Sequence, residues 1–286
     1  MNRHPLIQPA ELQALMQARG AGVVVLDCSF DLGRPDAGLE SYRARHVPGA
    51  IHVHLDRDLC APMTGRNGRH PLPTREAFVE RLAQWGVDDD STVVVVDANG
   101  GMYAARAWWM LRWVGHADVA LLDGGTGAWV AAGGAVEQAD PPPRPRGRVT
   151  LRPSLAAVVE REALLAGLGQ PTRLLVDARA PDRFRGENET LDPVGGRIPG
   201  ARNRFFKDNL APDGRFKPAP QLRAEFDAVT GGRPADELVL YCGSGVTACV
   251  DLLALELAGR HGAALYAGSW SEWCAWPGAP VGTGAP

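Results

Sequence analysis

Residues 238–248 read LVLYCGSGVTA, and this stretch decides how the rest of the chain is read. Leu238, Val239, Leu240 and Tyr241 form a short continuous apolar run, the pattern of a strand buried on both faces. Gly243, Ser244 and Gly245 cannot continue that strand, and small residues there permit a tight backbone curl. From about Thr247 the apolar positions Ala248, Val250, Leu252, Leu253, Leu255 and Leu257 read as a helix. Cys242 therefore stands at the end of a strand, at the lip of a glycine loop, ahead of a helix N-terminus. Backbone N–H groups and the positive end of the helix dipole converge on such a position and favour a thiolate over a thiol.

Outward from this loop, the chain repeats itself. VVVLD at 23–27 matches LLVD at 174–177, and HVPGA at 46–50 matches RIPGA at 197–201. VVVVDANGG at 93–101 matches LVLYCGSG at 238–245, and ALLDGGTGAW at 120–129 matches ALYAGSWSEW at 264–273. Four landmarks in one order, offset by about 150 residues, indicate a duplicated domain; the period is far too long for a solenoid. Each copy alternates short apolar strands with helical stretches. The expected fold is therefore α/β, two tandem domains, each a mainly parallel sheet flanked by helices on both faces. Ligands of such sheets bind at the carboxyl ends of the strands, where Cys242 lies. Residues 139–153 are rich in Pro and Arg and read as an extended, stiff linker between domains at 1–138 and 154–286.

Composition excludes several function classes. The chain has 286 residues, 45% hydrophobic and 22% charged, with a formal net charge of −3. That balance gives no reason to expect nucleic acid or an anionic membrane as partner. No apolar run approaches the roughly 18 residues that span a bilayer, and the N-terminal stretch is too polar for a signal peptide. The five cysteines, Cys28, Cys60, Cys242, Cys249 and Cys274, are odd in number and include no C-x-x-C pair. A disulfide framework and a zinc site are both disfavoured, and a reducing cytoplasm is the expected compartment. Cys249 lies on the face of the helix that follows Cys242 and reads as core, and Trp108, Trp109 and Trp113, at helical spacing, read as core or domain interface.

Together, the duplication, the two [HR]-[VI]-P-G-A segments, WWMLRWVGH at 108–116, CGSGVTA at 242–248 and GSWSEW at 268–273 resemble the tandem-domain rhodanese sulfurtransferases. The resemblance covers nearly the whole chain. It implies that Cys242 takes a sulfur from a small-molecule donor as a persulfide and passes it to cyanide, a small thiol or thioredoxin, in two half-reactions and with no metal or organic cofactor. It also implies that the first copy is inactive, since Asp97 stands in the place of Cys242. The N–H groups of Gly243, Ser244, Gly245, Val246 and Thr247 would hold the anionic sulfur as an oxyanion hole does, with Thr247 capping the helix or donating to the sulfur. The loop resembles that of 3-mercaptopyruvate enzymes, whose proton relay maps to Ser244, His70 in GRHPLP and Asp56 in HVPGAIHVHLD. With His70 and Asp56 in the first copy, the site is expected between the two domains. A substrate carboxylate would meet Arg183, with Arg185 nearby; the family's second arginine falls near Leu191–Asp192, where this chain has none. The competing readings are a thiosulfate sulfurtransferase, a non-catalytic persulfide carrier and a cysteine phosphatase. The last needs Arg six positions after the cysteine, where Ala248 stands.

Overall fold

The apolar runs of the repeat become parallel strands. The computed structural model describes residues 4–170 and 172–285, which form two compact units, each with a five-stranded sheet. The first sheet comprises β1 (Leu6–Ile7), β2 (Val23–Asp27), β3 (Ile51–His52), β4 (Thr92–Val96) and β5 (Val119–Leu122), in the order β1-β5-β4-β2-β3. The second comprises β6 (Ala157–Val158), β7 (Leu174–Asp177), β8 (Arg202–Asn203), β9 (Leu238–Tyr241) and β10 (Ala264–Leu265), in the order β6-β10-β9-β7-β8. Every pairing is parallel, and the two sheets are one permutation used twice. The duplication seen in sequence is thus a duplication of topology.

The central strands are buried along their whole length: VVVLD in β2, TVVVV in β4 and LVLY in β9. Branched side chains suit a pleated surface, and burial on both faces removes any need for polar alternation. Register follows, with Leu26 opposite Val95 in the first unit and Val176 opposite Leu240 in the second. Helices Ala104–Trp113 and Ala248–Leu257 carry the chain from β4 to β5 and from β9 to β10. Both are buried nearly all round, which places Trp108, Trp109 and Cys249 in the core as their spacing predicts, while Trp113 is only half-buried, with Arg75 over its ring. No described helix is long and apolar enough to cross a membrane.

The segment at 139–153 is extended but tied down. Arg144 donates to the carbonyl oxygens of Val23 and Ala21, and Arg146 pairs with Glu80. The N–H groups of Thr150 and Arg152 donate to Asp89 at 2.8 Å and to the Val114 carbonyl at 3.0 Å. It is a strap along the first unit. That unit also holds Asp213–Arg215, while Ala61–Leu72, within the first copy by sequence, belongs to the second unit.

Candidate active site

At the end of β9 the chain turns through Cys242 and the glycine loop into helix Ala248–Leu257. The N–H of Cys242 donates to Ser269 Oγ at 3.1 Å. The carbonyl oxygens of Cys242 and Gly243 accept the N–H groups of Trp270 and Ser271, both at 2.9 Å. These bonds fasten the start of the loop to helix Ser269–Trp273. Further on, the N–H groups of Gly243, Ser244, Val246 and Thr247 have no acceptor among the described residues. Donors left unpaired in a tight loop that begins at a buried thiol form a site for negative charge. Gly245 makes the curl possible: its φ is +75°, and a Cβ there would lie 2.3 Å from the Ala267 carbonyl oxygen. Below the loop, Cys249 Sγ donates to the Gly245 carbonyl at 3.4 Å. Thr247 does not cap the helix as expected, because its own backbone is already helical and its hydroxyl makes no cap bond.

Ser244 is met by His70, whose Nδ1 lies 2.6 Å from Ser244 Oγ. Both side chains are buried. His70 belongs to the 61–72 segment of the second unit, so this pair is internal to that unit, where the sequence reading drew His70 from the other domain. The segment is fixed by the Arg69 N–H on Ser271 Oγ at 3.0 Å and the Ala61 N–H on the Pro71 carbonyl at 2.9 Å. Asp56 lies in the first unit, on the short helix Leu55–Asp58, with its N–H on His54 Nδ1.

Beside the loop runs a chain of alternating charges. Asp177, at the end of β7, pairs with Arg179, which reaches Glu189. Glu189 holds Arg183 at 2.8 Å and also accepts the N–H groups of Leu191 and Asp192. Asp192 accepts from Arg183 at 3.4 Å and from Arg69. Burial pushes the Glu189 carboxyl up, but Arg183 and the two amides outweigh it and hold it below the ordinary range. At Asp192 burial wins over Arg69 and Arg183, and the carboxyl is raised. The outer guanidiniums face the loop: a Cβ on Gly243 would stand 2.9 Å from Arg69 Nη2 and 3.7 Å from Arg183 Nη1.

Most of the expected loop-side residues therefore come together. Cys242, Gly243, Ser244, Gly245, Val246 and Thr247 form the loop; His70 joins it through Ser244 and Arg183 stands beside Gly243. Arg185 does not follow Arg183: it makes a bidentate pair with Glu187 at 2.7 Å, on the surface. Arg197 lies over the Phe184 ring at 4.6 Å and donates to the Gly284 carbonyl, a packing role. Sequence reasoning missed Arg69. It adjoins His70, but its partner Asp192 is 123 positions away, and no local pattern encodes that pairing. Burial pushes the Cys28 thiol up, that of Cys60 to about 12 and that of Cys274 to about 11.

Comparison with known proteins places this arrangement. The Rhodanese-like domain family matches residues 8–132 and again 160–275. A Pseudomonas aeruginosa protein described as "Probable 3-mercaptopyruvate sulfurtransferase" is 51% identical, over 92% of this chain and 93% of that one. Thiosulfate sulfurtransferase from Bos taurus is 36% identical, over 89% and 86%. Among solved structures, 3-mercaptopyruvate sulfurtransferase from Leishmania major superposes with a TM-score of 0.83 at 29% identity, covering 96% of this chain and 75% of that chain. The chain belongs to the rhodanese family and is a two-domain sulfurtransferase.

Proposed function

We propose that the protein moves sulfur from 3-mercaptopyruvate through Cys242 to a thiol or cyanide. One observation carries this reading: the His70–Ser244 pair and the guanidiniums of Arg69 and Arg183 meet the same loop that holds Cys242. The donor's carboxylate is received by Arg69 Nη2 and Arg183 Nη1. The Cys242 thiolate attacks the donor sulfur and forms the S–S bond while the carbon–sulfur bond breaks. The bonding pair passes to the donor carbon as the enolate of pyruvate, which takes up a proton. The loop N–H groups stabilise the anionic outer sulfur of the persulfide. Ser244, relayed by His70, moves the proton between the donor thiol and the departing carbon. In the second half-reaction the acceptor, cyanide or a thiol such as that of thioredoxin, attacks the outer sulfur and returns Cys242 as thiolate. A reducing cytoplasm suits a site that must begin as thiolate.

Thiosulfate is the second donor to weigh, because relatives of this chain carry that name. A dianionic donor gains most from uncompensated cations, and here both guanidiniums are paired with carboxylates. Steady-state rates with cyanide as acceptor test the choice. kcat/KM for 3-mercaptopyruvate should exceed that for thiosulfate by about tenfold or more, about 1.4 kcal/mol in the transition state. A tenfold advantage for thiosulfate would reverse the assignment. Arg69→Ala and Arg183→Ala should each raise KM for 3-mercaptopyruvate by about tenfold, the loss of one charge-assisted bond. An unchanged KM in either variant removes that residue from the site.

A further inference from the structure

The resemblance places a second arginine near Leu191–Asp192, where this chain has none and carries the acid Asp192 instead. Its carboxylate is almost fully enclosed, with a side-chain exposure of 3%. It bonds the two guanidiniums that flank the loop, Arg69 through Nη1 and Arg183 through Nη2. Arg69 Nε, itself buried, has no partner among the described residues, and neither do Arg69 Nη2 and Arg183 Nη1. The two Nη atoms stand close to where a Gly243 Cβ would be. Arg69 turns its unbonded Nη2 to that position, at 2.9 Å, and Arg183 turns its acid-held Nη2 and its unbonded Nη1 there together, at 3.6 and 3.7 Å. The network as a whole comprises three guanidiniums, Arg69, Arg179 and Arg183, and three carboxylates, Asp177, Glu189 and Asp192, with a formal charge of zero.

We propose that Asp192 determines donor specificity by fixing the valence of the anion the site accepts: it neutralises the Arg69–Arg183 pair so that a monoanion is received and a dianion is disfavoured. The inference rests on the sulfur-transfer reading above and concerns the same site. Asp192 does not touch the donor. It positions Arg69 and Arg183 and sets the field in which their free N–H groups act. Coulomb energy is linear in the charge of the ligand, so removing the negative charge of Asp192 acts twice as strongly, in free energy, on a dianion as on a monoanion. The factor gained by the dianion is then the square of the factor gained by the monoanion.

Asp192→Asn tests this, since it keeps the size of the side chain and one acceptor oxygen for Arg69. If the variant raises kcat/KM for 3-mercaptopyruvate by about threefold, thiosulfate should rise by about tenfold. Asp192→Glu, which retains the charge, should keep the wild-type ratio of the two donors. Equal change for both donors, in either direction, would show Asp192 to be only a structural tether and overturn the proposal. Calorimetry on the wild-type chain gives an answer that does not depend on a variant folding or on turnover. Sulfate should bind no more tightly than pyruvate, and sulfate binding tighter by tenfold or more contradicts the proposal. Sulfur uptake on wild-type Cys242, read by mass, reports separately on the sulfur-transfer reading. A chain that takes up sulfur but shows no selective gain in Asp192→Asn overturns only the role of Asp192.

Discussion

The loop after β4 and the loop after β9 are the same turn in two copies, and they treat their amides in opposite ways. In the first unit Asp97 ends the strand and its own carboxylate fills the curl. Oδ1 accepts the N–H groups of Asn99 and Gly101, both at 2.8 Å, and Oδ2 those of Tyr103 and Ala104, both at 2.9 Å. In the second unit Cys242 stands in that place, and the N–H groups of Gly243, Ser244, Val246 and Thr247 have no acceptor among the described residues. The fold thus builds a cradle for negative charge at this turn twice. One copy satisfies it permanently with a side chain; the other leaves it for a charge that arrives with the reaction. The reactive copy carries its lack of hydrogen bonds as a functional feature and the silent copy converts it into stability.

The comparison extends to the next turn. The N–H of Thr126 donates to the Asp97 carbonyl at 3.1 Å, just as the N–H of Trp270 donates to that of Cys242. The residue before each is left-handed: Gly125 with φ +61° and Ser269 with φ +56°, the latter the sole described non-glycine residue with positive φ. Where the silent copy uses glycine, the reactive copy tolerates a strained serine, a cost of about 1–3 kcal/mol. The return is a hydroxyl that takes the N–H of Cys242 and donates to the Tyr266 carbonyl at 2.9 Å.

The largest break in this comparison comes from exchanging what fills each cradle. Cys242→Ser should abolish turnover with every donor while changing stability by about 1 kcal/mol or less, because the hydroxyl remains compatible with the loop amides. Asp97→Ala should do the reverse to the first unit, stranding four N–H donors, three of them buried, and lowering the melting temperature by several degrees, for a loss of about 3 kcal/mol or more. Calorimetry of the two variants checks the pair; equal stability losses would mean that the first cradle is not held by its carboxylate. Next, His70→Ala should lower kcat with 3-mercaptopyruvate by about a hundredfold and with thiosulfate by much less, since only the former needs proton transfer at the donor. An equal fall with both donors argues for a packing role. The smallest effect is at Ser269. Ser269→Ala keeps the strain and strands the Cys242 N–H, a loss of about 1–2 kcal/mol, whereas Ser269→Gly relieves the strain and offsets part of it. Chemical denaturation should therefore rank the glycine variant as the more stable of the two.

The strands, the duplication and the loop were all legible in the sequence because each rests on local pattern. The LVLY run and the glycines after Cys242 specify a buried strand and a turn without reference to anything distant. Ser244, His70 and Arg183 were reached through the resemblance, with no geometry attached. What local pattern could not supply was pairing across long separations. His70 and Ser244 are 174 positions apart, and nothing in GRHPLP announces that its segment belongs to the second compact unit. Arg69 was invisible for the same reason, and Arg185 misled because proximity in sequence to Arg183 does not decide direction on a one-turn helix, Pro181–Arg185. Thr247 looked like a cap by residue type, but the backbone at that position is already helical.

The central claim is that the open cradle after β9 receives a sulfur anion on Cys242, and peptide mass spectrometry tests it most directly. After incubation of the reduced protein with 3-mercaptopyruvate and removal of excess donor, the peptide bearing Cys242 should gain the mass of one sulfur, and those bearing Cys28, Cys60, Cys249 and Cys274 should not. No gain on Cys242, or an equal gain across the other cysteines, would contradict the account.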